Sequence, residues 1–387
     1  MLLSFLVYTI TAVALAYLGW HANTRERSML EAGGKRLPFY CWEIVASIVL
    51  FAIVAGARYK TGYDYIYYYS QYVQMRDMQG FSRHDYEWGF VLITKLFAAI
   101  KAHEFFYFAF WGGLQLGLFY YAFRKNKSLL PWLALIIMLG GYFVGWMNTI
   151  RQVVVECAFV ALVPMCTSWR KTFIACAIAM VFASIHVTAL LIVVYLLCMY
   201  SLRNTEMSRR SCLVVYTVFV LLGIYPFWLK WMGGLGTVMV WLDYSKYVPL
   251  LNKLIAGEFK PFGMGPGHLC LILSQVLVMW YYPLVKKDNP DDKVLRNYYF
   301  LAFWGMCLSS LLINTAHYML RPVEILTLCV PVMLAYTMRT LYRKRNYIGL
   351  GLVCVSTLSV IYMAVVKAVY APTSVNTPYL YNILFLN

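Results

Sequence analysis

Long apolar runs, one after another and parted by short polar gaps, decide what this chain can fold into. About 20 apolar residues match the roughly 30 Å hydrocarbon core of a bilayer. Such runs recur at about 2–20, 41–57, 103–123, 129–147, 152–167, 172–185, 187–201, 211–229, 268–285, 298–314, 322–338 and 347–366. They predict an all-α polytopic membrane protein, one transmembrane domain over residues 1–387 with about 12 spans, within roughly 10–13. Of the residues, 62% are hydrophobic and 13% charged, against about 25% charged in a soluble domain, so no soluble domain is expected. The first run, Leu2 to Trp20, lacks a basic leader and a small-residue cleavage site and reads as a retained helix.

The weakest boundary falls in residues 172–201, an apolar stretch of 30 residues that is too long for one simple span. A break at Ser184-Ile185-His186 divides it and keeps the later basic loops on one side. With that break six loops share a face and hold 20 of the 33 Lys and Arg residues: Arg25, Arg27, Lys35 and Arg36; Arg124, Lys125 and Lys127; Arg170 and Lys171; Arg203, Arg209 and Arg210; Lys286, Lys287, Lys293 and Arg296; Arg339, Arg343, Lys344 and Arg345. That face is predicted to be cytoplasmic. The net charge of +17 is thus read as orientation, not as nucleic-acid binding. The ten cysteines lie mostly in apolar segments and make no CxxC pair, which suggests neither a zinc site nor a disulfide framework. No cofactor is implied.

The remaining cations need another reason. Most fall in two long outward segments, 58–102 and 230–267, both mixing aromatics with charges. The second is punctuated by Gly233, Gly234, Gly236, Pro249, Pro261, Gly263, Gly265 and Pro266, a composition that suits a lid. In the first, Arg58, Gly62 and Asp64 precede Tyr65, Tyr68, Tyr69 and Tyr72 at helical spacing. Such a face of phenols suits sugar rings, and equally an aromatic belt at headgroup depth. Asn148-Thr149-Ile150-Arg151-Gln152 sits between two apolar runs, where a guanidinium needs either an anionic ligand or an internal carboxylate: Glu156, Glu87 or Asp64. His186 lies at the same expected depth, and so do His317 and Arg321 on a later outward turn. A core role for a lone histidine remains the alternative. Together these residues predict an outward, basic pocket for an anionic lipid headgroup, with no phosphate loop or paired-aspartate metal signature beside it.

At these residues the chain resembles the EpsG-type family of bacterial polysaccharide polymerases, the Wzy-like enzymes. The matching blocks are Arg58…Gly62-x-Asp64…Tyr68, Glu87-x-Gly89-Phe90, Asn148-x-x-Arg151-Gln152 and His186-x-x-Ala189-Leu190, with Trp88 standing where a proline is more usual. The resemblance implies a GT-C-like architecture and a metal-independent, inverting glycosyltransferase of the cytoplasmic membrane. It would act on the outer face upon undecaprenyl-pyrophosphate-linked oligosaccharides, with a chain-length regulator as a further partner. Arg151, Arg58 and Arg321 would hold the donor pyrophosphate. His186 or Asp64 would be the base, His186 favoured because an ordinary imidazole titrates near pH 6.5. Asn148, Gln152, Glu87, His317, Tyr65 and Tyr68 would bind substrate. A flippase of lipid-linked sugars, an O-antigen ligase and a membrane acyltransferase are the competing readings.

Overall fold

Leucine, valine and aromatic residues fill the apolar runs, and in a computed structural model of the chain these runs form helices; among the described residues no strand forms, only an isolated bridge between Arg58 and Ile383. The structure describes residues 1–77, 86–202, 205, 207–225, 227–228, 248–249, 252, 256, 265–315, 317–372 and 377–386. The expected lid over 230–267 lies almost wholly outside them.

The chain divides into two compact units, Met1–Ser201 with Leu334–Asn387, and Leu202–Met333. The first holds α1 (Leu2–Glu31), α2 (Trp42–Gly56), α3 (Tyr65–Arg76), α4 (Trp88–Ala99), α5 (Glu104–Tyr121), α6 (Leu130–Leu139), α7 (Tyr142–Asn148), α8 (Ile150–Leu162), α9 (Trp169–Phe182) and α10 (Ala189–Ser201). The second holds α11 (Arg209–Ile224), α12 (Pro266–Asp288), α13 (Lys293–Leu311) and α14 (His317–Thr327). The chain returns to the first unit through α15 (Cys329–Arg343), followed there by α16 (Tyr347–Leu358) and α17 (Val360–Tyr370).

In the first unit α2 packs along α5, α1 along α6, and α5 against α8. An aromatic cluster seals these contacts: Phe51 meets Phe143 at 5.3 Å and Trp146 at 5.9 Å between ring centroids, spacings at which edge-on rings attract. One end of the unit is knitted by ions. Lys127, buried, pairs with Glu26 and donates to the Leu37 carbonyl at 2.9 Å. Arg36 joins the same carboxylate, while Arg25 and His21 meet the buried Glu43. Arg339 donates to Asn126 and Ser128 in the loop before α6. Several of the cations that the loop pattern gathers on one face therefore also bind one another's loops.

The hydropathy pattern counts about 12 spans, but among the described residues four helices are long and apolar enough to cross a bilayer: Leu2–Glu31, Pro266–Asp288, Met319–Arg343 and Tyr347–Tyr370. A fifth results if Lys127–Leu139 and Tyr142–Asn148, bent by 67°, count as one span. The other apolar runs fold into shorter pieces. At 1.5 Å per residue the 14 residues of α9 reach about 21 Å, less than the hydrocarbon thickness. Within 172–201 the break falls between Phe182 and Ala189, so a turn carries Ser184 and His186 while α9 and α10 pack side by side.

Candidate active site

The helix interruption that precedes Arg151 sets up the site. α7 ends at Asn148, Thr149 adopts φ −107° and ψ 58°, and α8 starts at Ile150, leaving backbone groups without helical partners. Gln115, fully buried on α5, donates to the Trp146 and Ile150 carbonyls at 3.2 Å each. Arg151 thus stands in the first turn of α8, where free N–H groups and the helix dipole already favour an anion.

Glu87 then ties three sequence blocks together. Its Oε2 accepts from Arg151 Nη1, and its Oε1 accepts from the Val187 backbone N–H at 2.9 Å, next to His186. Of the three carboxylates the sequence offers Arg151, the structure selects Glu87; Glu156 instead takes 2.8 Å from Gln152 Nε2 one helical turn on, inside the core. The Arg151 guanidinium lies 4.2 Å over Tyr86 and 5.1 Å over Phe90, near the Tyr68 hydroxyl. Its buried Nε has no hydrogen-bond partner in the structure. Burial pushes the Tyr68 phenol above its ordinary range, against the pull of that guanidinium.

The tightness of this junction explains Gly89. Its N–H and that of Phe90 both donate to the Ser184 carbonyl, at 2.8 and 3.2 Å. A Cβ on Gly89 would sit 2.5 Å from Ser184 Oγ and 2.8 Å from Ser184 O. Without a side chain there, α4 can dock on the turn carrying His186. That imidazole is itself fixed: the Thr188 N–H donates to Nδ1 at 3.2 Å, and Thr188 Oγ1 lies 2.9 Å away. A ring whose Nδ1 accepts carries its proton on Nε2 when neutral.

Asp64 comes from the other side. Asn148 Oδ1 accepts its backbone N–H at 2.8 Å, and its carboxylate is close enough to act electrostatically on Tyr68. The left-handed turn at Gly62 (φ 94°) makes this approach possible, and its N–H donates to the Pro378 carbonyl.

Arg58 is placed differently from the sequence expectation. It is 0% exposed, with Nε on the Thr61 carbonyl, Nη1 on the Ala55 carbonyl and Met147 Sδ, and Nη2 on the Met147 carbonyl. Its guanidinium also covers Phe108 at 4.6 Å. A guanidinium so enclosed braces the α2–α3 turn against α7, and a pyrophosphate cannot reach it without unmaking those bonds. Tyr65 and Tyr72 also turn inward, stacked on Phe108 at 5.0 Å and on Tyr107 at 4.4 Å, and Tyr68 is buried as well, so three of the four phenols of the expected wall are core. Arg321 belongs to the second unit, and the side chain of His317 lies outside what is described.

Sequence reasoning missed Tyr86, Ser184, Thr188 and Gln115. It also missed the C-terminal segment, in which the Asn382 carbonyl accepts the Tyr59 N–H at 2.8 Å and Tyr381 Oη donates to Val54 O at 2.6 Å. A run of tyrosines near the end of an apolar chain was the available signal.

The EpsG family model matches residues 42–381. Neither the curated proteins nor the solved structures contain a match.

Proposed function

Because the chain belongs to the EpsG family, membrane-embedded polysaccharide polymerases, we propose that it polymerises undecaprenyl-pyrophosphate-linked oligosaccharide repeat units into a surface polysaccharide, on the outer face of the cytoplasmic membrane. The observation that carries this reading is the junction of Glu87 with Arg151 and the His186 turn, which gathers residues 64 to 188 around one guanidinium with a donor to spare. In this reading the shorter helices complete a crossing count near the 12 of the hydropathy pattern, within a GT-C-like architecture.

The chemistry follows from charge. Arg151 and the start of α8 receive the donor diphosphate and stabilise the negative charge that builds as the anomeric C–O bond breaks. The acceptor hydroxyl oxygen forms the new glycosidic bond to that carbon from the opposite face, inverting it, and its proton passes to Asp64. With its proton on Nε2, His186 acts as a hydrogen-bond donor to the departing diphosphate, which reverses the preference that an ordinary imidazole pKa suggests. Metal is not required, because the guanidinium and helix terminus supply the positive field. Tyr63 and Tyr67, both exposed and flanking Asp64, are the phenols left to grip sugar. Asn148 and Glu87 position this group, as Arg58 does from the core.

Arg151→Ala in the native host, with surface glycan run on a gel, tests the reading. Single repeat units exported without extension would support it. Undiminished long chains would defeat it, and loss of every exported unit would point to a flippase.

A further inference from the structure

The second unit carries a cavity that the polymerase reading does not use. It has a volume of about 310 Å³ and lies at the ends of α11, α12 and α13. Three cations from three helices border it: Arg209 in the first turn of α11, Lys286 in the last turn of α12 and Arg296 in the first turn of α13. These helix ends belong to loops that the charge pattern assigns to one face. The rest of the lining is aromatic, including Tyr282, Tyr299 and Trp304. Tyr282 and Tyr299 stack at 3.4 Å between centroids, making a rigid flat wall.

Two of these charges, those of Arg296 and Arg209, are not consumed by the fold in the way those of the first unit are. Arg296 is half-buried, and its Nε is enclosed without a hydrogen-bond partner in the structure. Arg209 rests on the Trp280 ring at 4.3 Å, a contact that leaves its N–H groups available. Asp292 caps α13, its Oδ1 accepting the Val294 and Leu295 N–H groups at 3.1 Å each. A guanidinium fork with an open donor matches phosphate oxygens, and cations at the Lys/Arg-rich side of membrane helices recognise anionic headgroups.

We propose that this cavity binds the phosphodiester headgroup of an anionic membrane phospholipid. Arg296, Arg209 and Lys286 hold the phosphate, and the aromatic wall takes the glycerol and first acyl carbons. That apolar wall is what a lipid satisfies and free phosphate does not. The proposal stands whether or not the first unit is a polymerase.

Native mass spectrometry of the full chain in detergent tests it, with phosphatidylglycerol and phosphatidylcholine as probes. The wild type is expected to retain phosphatidylglycerol about tenfold better than phosphatidylcholine, and Arg296→Gln with Lys286→Gln to erase that preference. Equal retention of the two lipids by the wild type overturns the proposal without reliance on any variant. An unchanged preference in a folded double variant overturns it too. Displacement of the bound lipid by millimolar inorganic phosphate would make the site one for free phosphate, against the lipid assignment.

Discussion

Arg58 and Arg151 carry the same charge and lie near one another in the first unit, yet their surroundings give them opposite work. Arg58 satisfies three backbone carbonyls and is fully buried, so Arg58→Ala strands acceptors at roughly 1–3 kcal/mol each. We expect that variant to lose yield and thermal stability in detergent, by several degrees in Tm, with glycan loss only in proportion to lost protein. If it purified like the wild type and still made no polymer, Arg58 would be a substrate contact after all. Arg151→Lys is expected to do the reverse. Charge is kept and folding with it, but one point charge cannot meet Glu87 and a diphosphate at once, so chain extension should fall about 10- to 100-fold. The proton-transfer roles separate in the same assay. In the proposed mechanism Asp64→Asn removes the base, and a loss of at least about 100-fold is expected. His186→Gln keeps an N–H donor and should retain visible short chains. The opposite ranking would return the base to His186.

Among elements, the docking of α4 on the turn between α9 and α10 is the joint on which the site depends. Gly89→Ala places a methyl against the Ser184 carbonyl and hydroxyl, at 2.8 and 2.5 Å, and the turn must shift with its imidazole. Shortened glycan chains at near-normal protein yield are expected. Gly113→Ala is the control, since its Cβ would meet Ala52 Cβ at an ordinary 3.4 Å; equal effects of the two would show that α4 docking is not special. Much of this arrangement was legible in the sequence. The 30-residue apolar stretch had to break, and it breaks around His186; the blocks at 58, 87, 148 and 186 do meet. What hydropathy could not reveal is where helices end inside apolar runs. It counts residues, whereas the 67° bend between α6 and α7 and the interruption at Thr149 arise from backbone angles that apolar composition does not encode. The partners of Arg58 are the Met147 carbonyl beside the Thr149 interruption and the Ala55 and Thr61 carbonyls where α2 ends, which is why its burial could not be foreseen from a residue that looked like a ligand for phosphate.

At the scale of the molecule the question is which side of the membrane Asp64 faces, and α2 supplies a ruler. Its first turn holds Glu43, bound to Arg25 and His21 within the ion-paired end of the first unit. Past its last turn come Arg58, Gly62 and Asp64. The 15 residues of α2 separate those ends by about 22 Å, and no compact rearrangement of side chains can bring them to one face. Short basic loops stay in the cytoplasm, so the end with Arg25, Arg36 and Lys127 should be internal and Asp64 external. Tyr40, 77% exposed, and Tyr63, 38% exposed, flank the two ends and can be replaced by cysteine once the exposed Cys198 is changed to serine. A membrane-impermeant maleimide applied to intact cells is expected to label Tyr63→Cys and to leave Tyr40→Cys unlabelled until the membrane is opened. The reverse pattern would put the site on the cytoplasmic side and overturn the proposed outer-face mechanism in favour of one that works on the inner face.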